Sequence, residues 1–121
     1  MPVITCIEDL KRLHRKRTPK MFWDYCESGS YTEQTFHENS SDFAKIRFRQ
    51  RVARDLTGRS LESTMIGRPV AMPVALAPVG STGMQHPDGE ILAARAAAKF
   101  GVPFTLSTMS ICSIEDVAAQ S

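Results

Sequence analysis

The stretch Met72-Pro73-Val74-Ala75-Leu76-Ala77-Pro78-Val79-Gly80-Ser81-Thr82-Gly83 decides the fold. Val74 to Ala77 form a short apolar run, with Pro73 before it and Pro78 and Gly80 behind it. A brief apolar run bracketed by prolines reads as a strand rather than a helix. A strand apolar at every position is buried on both faces, which places it in a parallel sheet covered by helices. The residues downstream agree. A loop leads to Asp88-Gly89-Glu90, which opens a helix predicted over Ile91 to Phe100. Gly101 ends that helix, and a second apolar strand follows at Pro103-Phe104-Thr105-Leu106-Ser107. This is one βαβ unit, and α/β proteins place ligands in the loops at the carboxyl ends of such strands.

Working outward, Leu61 to Met65 and Pro69 to Ala71 read as a hairpin turning at Gly67. Before it, Ile46, Phe48 and Gln50 alternate with Arg47, Arg49 and Arg51, a period that suits a strand. The three arginines would share one face, either as a platform for anions or as salt-bridging partners on a solvated surface. Past the second strand, Ile114 to Ala119 begin another helix. Two parallel strands cannot bury both their faces, so the implied architecture is a repeating βα barrel, which needs about 250 residues. The expected fold is therefore α/β: N-terminal helices over 1–45, a β-hairpin within 46–71, and over 72–121 the first two βα units of a TIM (β/α)8 barrel, incomplete in this chain. On this reading the chain is the front portion of a larger single barrel domain.

The N-terminal segment carries three helical patterns. Thr5 is a candidate cap, with Glu8 three residues on completing a capping box. Ile7, Leu10 and Leu13 then give one apolar face, and Lys11, Arg12, Arg15, Lys16 and Arg17 a basic one. Such a helix can bind membranes or nucleic acid, but without interleaved aromatics the simpler reading is a solvated amphipathic helix. Thr18-Pro19 starts a second helix with proline at its first position, where the missing N–H costs nothing. Met21, Phe22, Tyr25 and Cys26 recur at helical spacing before Ser28-Gly29-Ser30 stops it. Tyr25 sits near that end, and its hydroxyl must find water or a partner. A third helix is expected from Thr32 or Glu33 to Ala44, anchored by Phe36 and Phe43.

Bulk properties narrow the function classes. A formal net charge of +2 over 121 residues gives no argument for nucleic acid as a partner. The three cysteines, Cys6, Cys26 and Cys112, are widely spaced without CxxC, which suggests neither a zinc site nor a disulfide framework. Reduced thiols in a cytoplasmic protein are the simpler explanation. No apolar run approaches the ~20 residues of a membrane span, and no apolar segment follows the basic start as a secretory signal requires.

Candidate chemistry is sparse. Gly80-Ser81-Thr82-Gly83 lacks the GK[ST] ending of a phosphate loop, and GxGxxG is absent. His86 lies near a strand end, where it serves either as a general base or as part of an ordinary turn in His86-Pro87-Asp88-Gly89. Pro78-Val79-Gly80 is more informative. Proline removes a donor and glycine a side chain, leaving a flat backbone edge against which a planar ligand can lie. Ser107, ending the second strand, offers a hydroxyl to the same place.

Five segments in one order carry a resemblance: Pro19-Lys20-Met21-Phe22-Trp23-Asp24-Tyr25 with Ser28-Gly29, Phe48-Arg49-Gln50-Arg51, Met72 to Gly80, His86-Pro87-Asp88-Gly89-Glu90, and Thr105-Leu106-Ser107-Thr108. Over its whole length the chain resembles the N-terminal third of the FMN-dependent α-hydroxy acid oxidase and dehydrogenase family, most of all its bacterial flavin-linked L-lactate dehydrogenases. The resemblance implies a TIM barrel with FMN at its C-terminal face. It implies that the backbone of Pro78, Val79 and Gly80 runs along the flavin and that Ser107 hydrogen-bonds the cofactor. Tyr25 is implied to bind the substrate carboxylate, and Met109 to stand at a pocket position that varies with substrate. The family's catalytic histidine, carboxylate-binding arginines, flavin-stabilising lysine and phosphate site all match positions beyond residue 121, and His86 does not match the catalytic base.

The resemblance thus implies oxidation of a 2-hydroxy acid, L-lactate foremost, to a 2-keto acid, with electrons passed to a quinone, cytochrome or oxygen. It leaves this chain without catalytic residues and expected to be inactive alone. It is compatible with a homo-oligomer and with a cytoplasmic protein that sits peripherally at the inner face of the cell membrane. A different class of reading treats the chain as a non-catalytic truncated barrel relic, an interaction protein working through its basic N-terminal helix.

Overall fold

The computed structural model describes residues 3–121 and divides them into two compact units, one ending at Gly58 and one running from Arg59 to Ser121.

The first unit is helical. Helix α1 (Ile7–Arg17) is capped at Cys6. Asp9 therefore occupies the third helical position, and its carboxylate accepts the Thr5 backbone N–H at 3.0 Å and hydroxyl at 2.8 Å. The expected box partner, Glu8, sits one residue too early for this geometry. The Thr5 backbone donor, then its hydroxyl, hold the Asp9 carboxyl below its ordinary pKa. Helix α2 (Lys20–Cys26) starts one residue later than expected: Pro19 is its cap, and its carbonyl accepts from Phe22 and Trp23. Trp23 ties α1 to α2, its ring 5.3 Å from that of His14 and 6.0 Å from the Arg15 guanidinium. A Lys11–Glu27 ion pair closes the same junction. Helix α3 (Gln34–Ser41) is shorter than expected and passes into a single 3-10 turn (Asp42–Lys45). Gly29 is required here, since a Cβ would meet Phe36 Cβ at 2.8 Å.

The alternating residues after Ile46 form no strand. Among the described residues nothing pairs with them, all of 46–51 are exposed, and the Arg47 guanidinium donates back to the Ala44 carbonyl. Period-two patterning makes a strand only where a ladder partner exists, so there is no arginine-bearing strand face.

The second unit contains the hairpin and the βαβ crossing. Strands β1 (Ser63–Met65) and β2 (Arg68–Val70) pair antiparallel, with Ser63 opposite Val70 and Met65 opposite Arg68. Ile66 and Gly67 turn the chain with φ of 51° and 70°, the two left-handed residues of a type I′ hairpin turn. The predicted barrel strands are reduced to a single parallel bridge between Leu76 and Phe104. Leu76 N donates to Pro103 O at 2.9 Å, and Thr105 N to Leu76 O at 3.2 Å. A short helix, α4 (Thr82–Gln85), occupies what the sequence read as loop. Helix α5 (Gly89–Phe100) ends at left-handed Gly101, where the Gly101 and Val102 N–H groups both reach the Ala97 carbonyl. Helix α6 (Ile114–Gln120) is capped by Ser113. The core of this unit is Ile91, Ala94 and Val117, with Phe104, Leu106 and Cys112 packed against it.

Candidate functional site

Two loops meet beyond the Leu76–Phe104 bridge. The first runs from Pro78 through Gly83, the second from Ser107 to Cys112. Ser81 N donates to Met109 O at 2.8 Å and holds them together. At Gly80 there is no room for a side chain without displacement: an added Cβ would lie 3.1 Å from Met109 Cβ and 3.7 Å from Ser107 Oγ. Pro78, Val79 and Gly80 are exposed, Val79 at 63%. The N–H groups of Val79 and Gly80 have no protein acceptor among the described residues. The result is an open, side-chain-poor backbone edge. Ser107 is half-buried, and its Oγ accepts the Met109 N–H at 3.1 Å. The second loop's backbone is thereby tied to the hydroxyl that the first loop faces. The structure brings Pro78, Val79, Gly80 and Ser107 together.

Glu90 underlies this arrangement, and the sequence reading treated it only as a helix opener. It is 1% exposed. Its Oε1 accepts the Gly83 N–H from the first loop and the Ile111 N–H from the second, each at 3.0 Å. Its Oε2 accepts the Cys112 thiol at 3.3 Å. Burial pushes the Glu90 carboxyl up, but the Ile111 and Gly83 donors, joined by its own N–H and the thiol, outweigh burial and hold it below its ordinary value. Cys112 moves the other way: burial and then the Glu90 carboxylate raise its thiol. Gly83 makes the approach feasible, since a Cβ there would meet Ile111 Cβ at 2.7 Å and Glu90 Oε2 at 3.1 Å. A signal was present. Glu90, Ala94 and Ala97 recur at helical spacing on the buried stripe of α5, and a carboxylate on such a stripe demands donors.

The other candidates belong to other elements. Tyr25 lies near the end of α2 in the first unit and is 75% exposed. His86 is exposed beside α4, its Nδ1 2.7 Å from the Pro87 carbonyl. On the basic helix, Arg12 pairs with Asp9 and Lys11 with Glu27, while Lys20 of α2 pairs with Asp24. No group of His, Cys, Asp and Glu among the described residues could hold a metal ion. Among the described residues no helix is long and apolar enough to cross a membrane.

The loop edge thus offers exposed backbone and a nearby hydroxyl, with no side chain at Gly80. Residues 14–121 match the family of FMN-dependent dehydrogenases. The L-lactate dehydrogenase of Chromohalobacter salexigens is 47% identical over 117 residues, which is 97% of this chain and 30% of that protein. The crystal structure of the monotopic membrane protein (S)-mandelate dehydrogenase superposes with a TM-score of 0.90 at 39% identity, covering 98% of this chain and 32% of that one. A crystal structure of mandelate oxidase does so at 0.90 and 36% identity, covering 98% and 35%. The chain thus spans about a third of the length of the relatives it matches, and its α/β architecture corresponds to part of their barrel. With nearly all of its residues inside the match, the chain belongs to the FMN-dependent dehydrogenase family.

Proposed function

We propose that this chain supplies the first βα units, and one wall of the flavin site, of an enzyme that oxidises an L-2-hydroxy acid to the 2-keto acid. L-lactate is the substrate favoured, because relatives 46–47% identical to this chain carry that name. The observation that carries the reading is the open edge at Pro78-Val79-Gly80, held against the Ser107 loop by the Ser81–Met109 hydrogen bond. FMN, when bound, supplies the two-electron acceptor that no side chain provides. Pro78, Val79 and Gly80 would flank it with backbone only, and the Ser107 hydroxyl would hydrogen-bond it. Tyr25 would donate its phenolic O–H to the substrate carboxylate, fixing the acid's orientation without taking a proton. The base that removes the hydroxyl proton belongs to the family's later barrel residues, and quinone, cytochrome or oxygen would finally receive the electrons. The basic residues of α1 suit a peripheral place at the inner membrane face, and an oligomer of barrels is compatible with the exposed apolar residues of both units.

The test is a completed barrel, in which these 121 residues are continued by the rest of the Chromohalobacter salexigens relative. It should bind FMN within ten-fold of the unmodified relative, and L-lactate added without oxygen should bleach its flavin absorbance. A folded, flavin-loaded barrel that bleaches with (S)-mandelate and not with L-lactate would overturn the substrate. A folded barrel that binds no FMN would overturn the reading as a whole.

A further inference from the structure

We propose that Glu90 is a positioning residue: its buried carboxylate fixes the two loops of the flavin wall against each other by accepting one backbone N–H from each. The inference rests on the flavin reading and names the group that sets that wall's geometry. Glu90 touches neither Gly80 nor Ser107. It acts through Gly83 and Ile111, at or next to the far ends of the loops carrying them, with both N–H groups converging on one oxygen at 3.0 Å.

Three further observations point the same way. Ser81, between Gly80 and Gly83, holds a left-handed backbone with φ of 56°, a conformation that persists in a non-glycine residue only where its surroundings over-determine it. The surroundings here are the Ser81–Met109 hydrogen bond on one side and the Gly83–Glu90 bond on the other. Next, Gly83 and Gly89 both lack the Cβ that would push the loop away, since one at Gly89 would lie 2.8 Å from the Thr82 carbonyl oxygen. The chain is therefore shaped to bring the first loop down onto the α5 N-terminus. Finally, the carboxylate has a full set of donors, the third being the Cys112 thiol. Glutamine at this position could still offer Oε1 to both backbone N–H groups, whereas alanine removes both acceptor oxygens.

Amide hydrogen exchange on the completed barrel, stripped of flavin, tests the anchor independently of the cofactor. In wild type, Gly83, Ile111 and Ser81 should be protected, the first two through Glu90 and Ser81 through the loop contact. Exchange of Gly83 and Ile111 at unfolded-chain rates would overturn the proposal before any variant is made. Glu90→Ala, which removes both acceptor oxygens, should cost these three amides at least ten-fold in protection and leave Leu92 and Gly101, bonded within α5, unchanged. Cys112→Ala removes one donor and keeps both backbone anchors, so its Gly83 and Ile111 protection should stay within two-fold of wild type. In the completed barrel, Glu90→Ala should weaken FMN binding at least ten-fold and shift the flavin absorbance maximum, while Cys112→Ala does neither. Lost protection with unaltered FMN affinity and spectrum would overturn the positioning role. Protected loops in a wild-type barrel that binds no FMN would instead overturn the flavin reading and leave the anchor standing.

Discussion

Glu90 and Tyr25 illustrate two ways in which a single residue would serve the proposed site. Glu90 has a carboxyl held below its ordinary value, so the sign of its pH dependence follows directly. Its stabilising contribution is complete above the unfolded value, near 4.5, and is lost as pH falls through the lower folded value. Protection factors at Gly83 and Ile111 should be flat from neutrality to about pH 5 and drop below pH 4.5, ahead of those within α5. The titratable group in contact is the Cys112 thiol, which stays protonated over this range because its own pKa is raised. Tyr25 is exposed on α2, so its ring contributes little packing. Tyr25→Phe in the completed barrel should leave stability unchanged and remove one charge-assisted hydrogen bond to the substrate, worth about 1.5–3 kcal/mol. Steady-state kinetics with L-lactate should show roughly ten- to a hundred-fold lower kcat/KM, mainly in KM if the bond acts equally in ground and transition states. An unchanged kcat/KM would return Tyr25 to a surface role. Tyr25, Gly80 and Ser107 were nameable from sequence because their motifs lie in recognisable order. Glu90 showed only as a carboxylate on an apolar stripe that demands donors; which donors, Gly83 and Ile111, 7 and 21 residues away, emerges only in the fold.

At the scale of elements, helices were more legible than strands for a physical reason. A helix satisfies its backbone locally, so α5 follows from its alanine-rich composition, with Gly101 as its stop. A strand needs a partner, and sequence alternation at Ile46 to Arg51 says nothing about whether one exists. The same logic reduces the two barrel strands to one bridge: Leu76 and Phe104 each have a single strand neighbour among the described residues. Boundaries shifted by a residue or two wherever a cap was misassigned, as at Cys6 and Pro19. Helix α4 escaped notice because four residues are too few to show a period. Helix α6 makes an element-level prediction. Ser113 Oγ accepts the Asp116 N–H at 3.0 Å while donating to the Asp116 carboxylate at 2.7 Å. Ser113→Ala should cost about 1 kcal/mol of local helix stability. Amide exchange at Asp116 and Val117 should then quicken about five-fold, with α5 unaffected. Unaltered exchange there would show that packing of Val117, rather than the cap, holds the helix.

For the molecule as a whole, the decisive quantity is how much apolar surface the second unit leaves uncovered. Val74 and Leu76, read from sequence as buried on both faces, are 46% and 39% exposed. Leu92, Phe100 and Val79 are exposed as well, and the paired strands present open edges of the kind that recruit other chains. The 121-residue chain by itself should therefore self-associate and unfold without a sharp transition, as read by light scattering and a thermal scan. It should also fail to retain FMN, for a reason internal to its one glycine-rich loop. A phosphate would need converging backbone N–H groups, but Ser81 N is taken by Met109 O, Gly83 N by Glu90, and Met84 N by Ser81 O. The Glu90 carboxylate behind that loop adds a negative charge that would repel the phosphate. Flavin fluorescence titration should show binding weaker than about 100 μM, and no L-lactate oxidation. A monomeric, cooperatively melting chain that purifies yellow would contradict both halves of this expectation. It would mean that these residues close their own sheet edges and hold the flavin ring without a phosphate site.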